Sequence, residues 1–232
     1  MGPRDLPPRT EAWNALIHHY EQCLREHGAT PRGVNWPNGE DLAARFGVML
    51  ELLVEAGERP ALLDLGCGPG LLLDYLAATG GVDRVRYHGV DLSAAMIAAA
   101  RARWPHHEFS CRDIVAVPLP EQSVDIVIVN GVLTERVGLS IEAMTSLAQS
   151  LIAAAFRLAR VGIAFNLMNA QVDWQRDDLF HCPFDALAAF LGREVSRHYE
   201  FRADYGLYEY TCFVRRQPRR PSAPETESWW TR

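Results

Sequence analysis

The sequence contains no lysine: all 23 of its basic residues are arginine. This excludes a Schiff-base amine and a P-loop lysine, and with them two common routes to carbonyl chemistry and to nucleoside-triphosphate binding. CxxC spacing is missing too. The five cysteines, Cys23, Cys67, Cys111, Cys182 and Cys212, are odd in number and three fall in or beside predicted strands. Reduced thiols are therefore expected rather than a disulfide framework. No apolar run approaches membrane-spanning length. The first ten residues carry prolines and charges where a secretory leader needs an apolar stretch, so a cytoplasmic location without membrane contact is expected. Positive charge is not in excess. A formal net charge of -6 leaves no electrostatic footprint for a phosphate backbone, which turns the expectation from nucleic acid to a small-molecule partner. A homodimer is compatible with the chain.

What is present is ordinary globular composition, 48% hydrophobic and 22% charged, over 232 residues, a length that buries a core without covalent staples. Residues 13–27 place Trp13, Leu16, Ile17, Tyr20, Cys23 and Leu24 on one helical face, with Gly28 to end it, and a second helix is predicted over 41–56. From Pro60 the pattern changes to short apolar runs at 61–65, 85–90, 108–111, 124–129 and 162–167. Between them lie helical stretches at 71–79, 93–103 and 141–160. That alternation predicts an α/β fold with a doubly wound, mostly parallel sheet. After a helix at 184–191, runs at 196–202 and 207–215 flank Asp204-Tyr205-Gly206 and predict a closing antiparallel hairpin, giving seven strands in all. Three regions follow: an N-terminal helical lid over 1–57, a core over 58–216, and a tail over 217–232 rich in proline and arginine.

The chemistry is carried by strand ends. Ala61-Leu-Leu-Asp64-Leu-Gly66-Cys67-Gly68-Pro69-Gly70 is an apolar strand feeding a glycine-rich turn that opens a helix. There the backbone approaches a ligand closely and free N–H groups face a carboxylate. Its alternative is a plain strand-to-helix turn. The next strand ends in Val90-Asp91-Leu92-Ser93, where Asp91 can accept both hydroxyls of a ribose; a helix cap, and equally an NAD site, would use the same residues. The third leads into Asp113-Ile114, an acid and an apolar residue that suit an adenine amino group and ring face, with Leu92 on the other side. Turn capping is the competing role of Asp113. The fourth ends in Asn130-Gly131.

The GxGxG spacing, with an acid two residues before the first glycine, departs from the GxGxxG dinucleotide fingerprint. Together with Asp91, Asp113 and the terminal hairpin, it resembles the class I S-adenosylmethionine-dependent methyltransferases over residues 60–216. The resemblance implies a Rossmann-like sheet and S-adenosylmethionine held by Asp64, Gly66, Cys67, Gly68, Gly70, Asp91, Leu92, Asp113 and Ile114, with Asn130 and Gly131 flooring the methyl end. The segments Gly33-Val34-Asn35-Trp36 to Arg45-Phe46, Ala164–167 and 204–210 are similar to those of small bacterial polysaccharide- and metabolite-tailoring methyltransferases. That likeness implies a lid in which Trp36 covers the cofactor and Arg45 pairs with its methionine carboxylate; core packing is the other role open to Trp36. The Asn/Asp-Pro-Pro-aromatic motif of nucleobase and glutamine N-methylation is absent from the fourth strand end.

The implied activity is methylation of a small molecule, led by oxygen atoms of saccharide or natural-product acceptors. N-methylation of a small amine and a non-catalytic cofactor-binding subunit are the alternatives. The expected acceptor-side bases are His181 and Glu135, with Glu209 a further candidate and Tyr205 and Tyr208 as orienting hydroxyls. An acceptor that is already anionic needs no base. Asp177, Asp178 and His181 match no ligand signature, so metal independence is expected.

Overall fold

The computed structural model describes residues 10–219; the predicted tail falls outside the described residues from Arg220 onward. Helix α1 (Thr10–His27) leads through a turn of 3-10 helix at Arg32–Val34 into α2 (Gly39–Leu50). The Asn38 side chain caps α2 by accepting from the Asp41 N–H at 2.8 Å. The second helix predicted over 41–56 is thus α-helical only to Leu50, and Glu51–Ala56 continue as 3-10 helix.

The doubly wound core comprises β1 (Ala61–Leu65), α3 (Leu71–Ala78), β2 (Arg86–Asp91), α4 (Ala94–Arg103), β3 (Glu108–Cys111), β4 (Val124–Val129), α5 (Ile141–Leu158) and β5 (Ala159–Asn169). It closes with β6 (His181–Cys182), α6 (Phe184–Glu194), β7 (Tyr199–Arg202) and β8 (Glu209–Arg215). The sheet order is β3-β2-β1-β4-β5-β8-β7, with β6 paired to β5 off this path. All pairs are parallel except β5–β8 and β7–β8. The predicted seven strands are this main path, and the eighth, β6, is a two-residue pairing that no apolar run announces.

Boundaries differ where a side chain serves two ends at once. β5 begins at Ala159, not Gly162, because Ala159 pairs with Val124 of β4 while the Arg160 Nε reaches out to Asp125 at 2.7 Å. β7 begins at Tyr199, since Ser196 turns its hydroxyl to the Arg215 carbonyl at 2.8 Å and stays out of the ladder. The central strands are apolar on both faces. Leu63, Val127, Val129 and Ile163 face the core under α5, whereas Leu62, Ile126, Ile128 and Ala164 face α2 and α3. The order reverses between β1 and β4, and in an open α/β sheet the crevice at the carboxyl ends of such strands is where ligands bind.

Candidate active site

The glycine-rich turn after β1 is pinned to β2. The N–H groups of Gly66 and Cys67 both donate to the Val90 carbonyl, at 2.7 and 3.1 Å. Gly66 has φ of +79°, and a Cβ there would stand 2.2 Å from Cγ2 of Val132 in the loop after β4. Only glycine fits that site on both counts. One residue past β2's last apolar position, Asp91 accepts from Gly68 N–H through Oδ2 at 2.9 Å and from Ser93 N–H through Oδ1 at 2.9 Å. Ser93 caps α4 by accepting from Met96 N–H at 3.1 Å, so the capping role open to Asp91 in the sequence belongs to Ser93. The Ser93 hydroxyl also donates to Glu21 of α1 at 2.6 Å.

Asp64 lies under the turn, almost fully buried, and accepts from the Tyr87 hydroxyl at 2.7 Å. Burial pushes its carboxyl up to about 7, against the lowering effect of that hydroxyl. Burial also raises the Asp91 carboxyl, partly offset by the backbone N–H groups of Ser93, Gly68 and Leu92. The buried thiol of Cys67 is held protonated by the same desolvation. Asp113 accepts from the N–H groups of Val115 and Ala116 at 2.9 and 3.1 Å, so it does cap a turn, and it stands with Leu92 and Ile114 on the wall of the same hollow.

That hollow joins Asp64, Gly66, Cys67, Gly68, Asp91, Leu92, Asp113, Ile114, Asn130 and Trp36, ten of the residues expected from sequence. Gly70 starts α3 just behind it. Its outer wall is the N-terminal helices: Leu16, Ile17 and Tyr20 from α1, Leu42 and Phe46 from α2. With its open mouth and the solvent there included, it measures about 1130 Å³. On its floor, Asn130 Oδ1 is buried with no hydrogen-bond partner among the described residues. Gly131, with φ of +77°, lies so close to Trp36 that a Cβ would stand 2.9 Å from Cζ2 of the indole.

The other expected site residues stand elsewhere. Arg45 does not reach the hollow: its guanidinium lies over the far side of Trp36, 3.8 Å from a ring centroid, and its Nε donates to Glu209 at 2.9 Å. Its carboxylate partner is thus one of the protein's own. His181 is tied to backbone at both ring nitrogens, Nδ1 with the Asn169 carbonyl at 2.8 Å and Nε2 accepting from Arg176 N–H at 3.2 Å. Glu135 accepts from the Asn35 amide and faces His19 Nε2 at 3.3 Å, holding α1 and the turn before α2 against the loop after β4. Burial raises its carboxyl, with Asn35 and His19 opposing. Among the described residues no group of three or more His, Cys, Asp or Glu is arranged to hold a metal ion.

Sequence reasoning placed the N-terminal helices over the site without naming Leu16, Ile17 and Tyr20 as its wall, and it missed the polar cluster behind Trp36, where Asn166 of β5, Glu209 and Thr211 of β8 are all essentially fully buried. The available signal was a polar residue inside an otherwise apolar strand, Ala164-Phe165-Asn166-Leu167.

Residues 62–151 match a family model described as a methyltransferase domain. A Mycobacterium tuberculosis protein assigned as a methyltransferase is 30% identical over 166 residues, which span 71% of this chain and 98% of that relative. This chain belongs to the class I S-adenosylmethionine-dependent methyltransferases. A second relative, trans-aconitate 2-methyltransferase of Paracidovorax citrulli, is 42% identical over 73 residues, or 31% of this methyltransferase and 27% of that protein. Among solved structures, a Burkholderia thailandensis N1-methyltransferase with bound 1,6-didemethyltoxoflavin and S-adenosylhomocysteine superposes with a TM-score of 0.59 at 17% identity, covering 92% of each chain. That likeness is one of fold.

The residues present in this methyltransferase fit its cofactor. When bound, S-adenosylmethionine supplies an electrophilic methyl group on a sulfonium. Asp91 retains lone pairs toward a ribose, since each oxygen of an ionised carboxylate accepts more than one bond. Asp64, when ionised, offers a buried negative charge to a cationic amino-acid end, and Asn130 Oδ1 offers an unused acceptor. Leu92 and Ile114 supply apolar faces for a flat ring.

Proposed function

We propose that this methyltransferase acts at an oxygen atom of a small acceptor molecule, by alignment within the walled hollow. The observation that carries the reading is the wall: the chain's own α1 and α2 line the same hollow as Asn130 and Gly131, which favours an acceptor small enough to pass them. Trp36 and Gly131 pack against each other on the floor, and residues that hold reacting atoms in line supply most of what a displacement at a methyl carbon needs.

The titratable residues on the wall are Asp64, Cys67, Asp91, Asp113, Tyr20 and Arg112. The first four sit at or just past the carboxyl ends of β1, β2 and β3, on the cofactor side. The Tyr20 phenol is held protonated chiefly by burial, with Glu135 adding to it. Neither His181 nor Glu135 is among them. An acceptor oxygen that is already ionised needs no proton taken away, so small carboxylic acids head the acceptor list, ahead of the saccharide hydroxyls favoured from sequence. The partial match to a protein named for trans-aconitate, a polycarboxylate, supports the same order.

The test is an assay of S-adenosylhomocysteine release over a panel of small di- and tricarboxylic acids, saccharides and amines, with mass spectrometry of the product. A methyl ester among the acids supports the reading. Methylation confined to amines would overturn it.

A further inference from the structure

Behind the Trp36–Gly131 contact lies a buried polar cluster whose members come from three separated parts of the chain. Glu209 of β8, with a side chain 0% exposed, is its centre. A single oxygen, Oε1, accepts from Arg45 Nε at 2.9 Å, from Asn166 Nδ2 at 3.2 Å and from the Tyr205 hydroxyl at 3.3 Å. Each of the first two donors passes the contact on. Arg45 lays its guanidinium over Trp36, and Asn166 accepts from Gly131 N–H at 2.8 Å through its other amide atom. The two arms therefore end on the two residues that touch each other at the methyl end of the hollow.

Stability does not explain this cluster. A buried ion pair is often no better than well-packed apolar residues of the same volume. This one also leaves Arg45 Nη1 and Glu209 Oε2 buried without partners among the described residues. Unsatisfied buried atoms cost free energy, so the geometry of the cluster is not the one that stability alone would select. A second ion pair joins the same β8 to the stretch after α2, with Arg215 Nε 2.9 Å from Glu55, but it touches no residue of the hollow. It is a built-in control.

We propose that Glu209 is a positioning residue for methyl transfer, setting Trp36 through Arg45 and Gly131 through Asn166. The proposal rests on the assignment of Asn130, Gly131 and Trp36 to the methyl end of the cofactor site. Its test is calorimetric binding of S-adenosylhomocysteine to the full chain, with thermal melting of each variant alongside. Glu209→Leu is expected to weaken binding at least about tenfold, or about 1.4 kcal/mol. Glu209→Gln keeps an acceptor for Asn166 and Arg45 and is expected to restore most of that loss. Arg45→Met and Asn166→Leu each cut one arm and are each expected to give part of it, which keeps the proposal testable if Glu209→Leu does not fold. Glu55→Leu is expected to lower the melting temperature with binding unchanged. Folded Glu209→Leu protein that binds as tightly as the wild type would overturn the proposal alone. So would a Glu55→Leu variant that loses as much affinity. Wild-type protein that fails to bind S-adenosylhomocysteine would overturn the site assignment, and the proposal with it.

Discussion

The Asp91 carboxylate and the Gly68 amide are joined by a 2.9 Å hydrogen bond that ties the end of β2 to the glycine-rich turn after β1. Through its other oxygen the same carboxylate holds the Ser93 N–H at the start of α4. Ser93 in turn binds Glu21 of α1, so the residue best placed for a ribose also links the two cofactor loops to the helix that walls the site. The order of both loops and of α1 thus converges on one carboxylate.

Gly66 gives a test of that loop's shape. Gly66→Ala adds a Cβ 2.2 Å from Val132 Cγ2 in a backbone conformation with φ of +79°. The expected result is loss of S-adenosylhomocysteine binding by tenfold or more with a folded protein. Adding Val132→Ala removes the overlap but leaves the left-handed backbone, which costs about 1–2 kcal/mol. The double variant is therefore expected to recover only part of the affinity. Full recovery in calorimetry would show that backbone conformation at Gly66 is immaterial.

Asp64 predicts a pH dependence with a definite sign. Its carboxyl is raised to about 7 in the folded chain, against about 3.9 for an unperturbed aspartate. The folded state then keeps a proton that the unfolded state releases between these values. Its contribution to stability is present in full below the lower value and is lost as pH rises through about 7. The protein without ligand should melt at progressively lower temperature from pH 4.5 to 7 and level off above that, and Asp64→Asn should flatten that slope. S-adenosylhomocysteine, which carries an ammonium group, selects the ionised form, so its affinity should rise over the same interval. An unaltered slope in Asp64→Asn would remove Asp64 from the account.

His181 holds two backbone groups, the Asn169 carbonyl and the Arg176 N–H. His181→Ala should cost stability on the order of 1–2 kcal/mol, a drop of roughly 2–8 °C in melting temperature for a chain of this size. Affinity for S-adenosylhomocysteine should be unchanged, and turnover should fall less than about tenfold, well short of what loss of a general base produces. A fall of two orders of magnitude or more at unchanged melting temperature would restore His181 as a base.

The parallel core was legible because its signal is local. Continuous apolar runs such as Val124–Val129 form buried strands, and acids at successive strand ends converge where the topology reverses. Asp91 and Asp113 could be placed for that reason. Arg45 and His181 could not, because their partners, Glu209 and the backbone of Asn169 and Arg176, are fixed by tertiary packing. An arginine in a lid helix reads the same whether its carboxylate belongs to a ligand or to a strand 164 residues away. The pairing of β6 is two residues long and follows from the course of the loop after β5 rather than from any pattern in Phe180-His181-Cys182. The face of Leu16, Ile17 and Tyr20 was visible as a helical stripe, and the family resemblance implied that the N-terminal helices lie over the site; which of their residues line it is set by where α1 lands.

The central claim is that Asp91 and the Gly66–Gly70 turn hold S-adenosylmethionine, and calorimetric titration of S-adenosylhomocysteine into wild-type and Asp91→Ala protein tests it most directly. Loss of the carboxylate removes a charged acceptor from the ligand and from two backbone N–H groups, worth about 2–3 kcal/mol, or some thirty- to more than a hundredfold in affinity. The predicted result is one-to-one binding by the wild type and weakening of that size in the variant. Equal affinity for the two proteins would contradict the account.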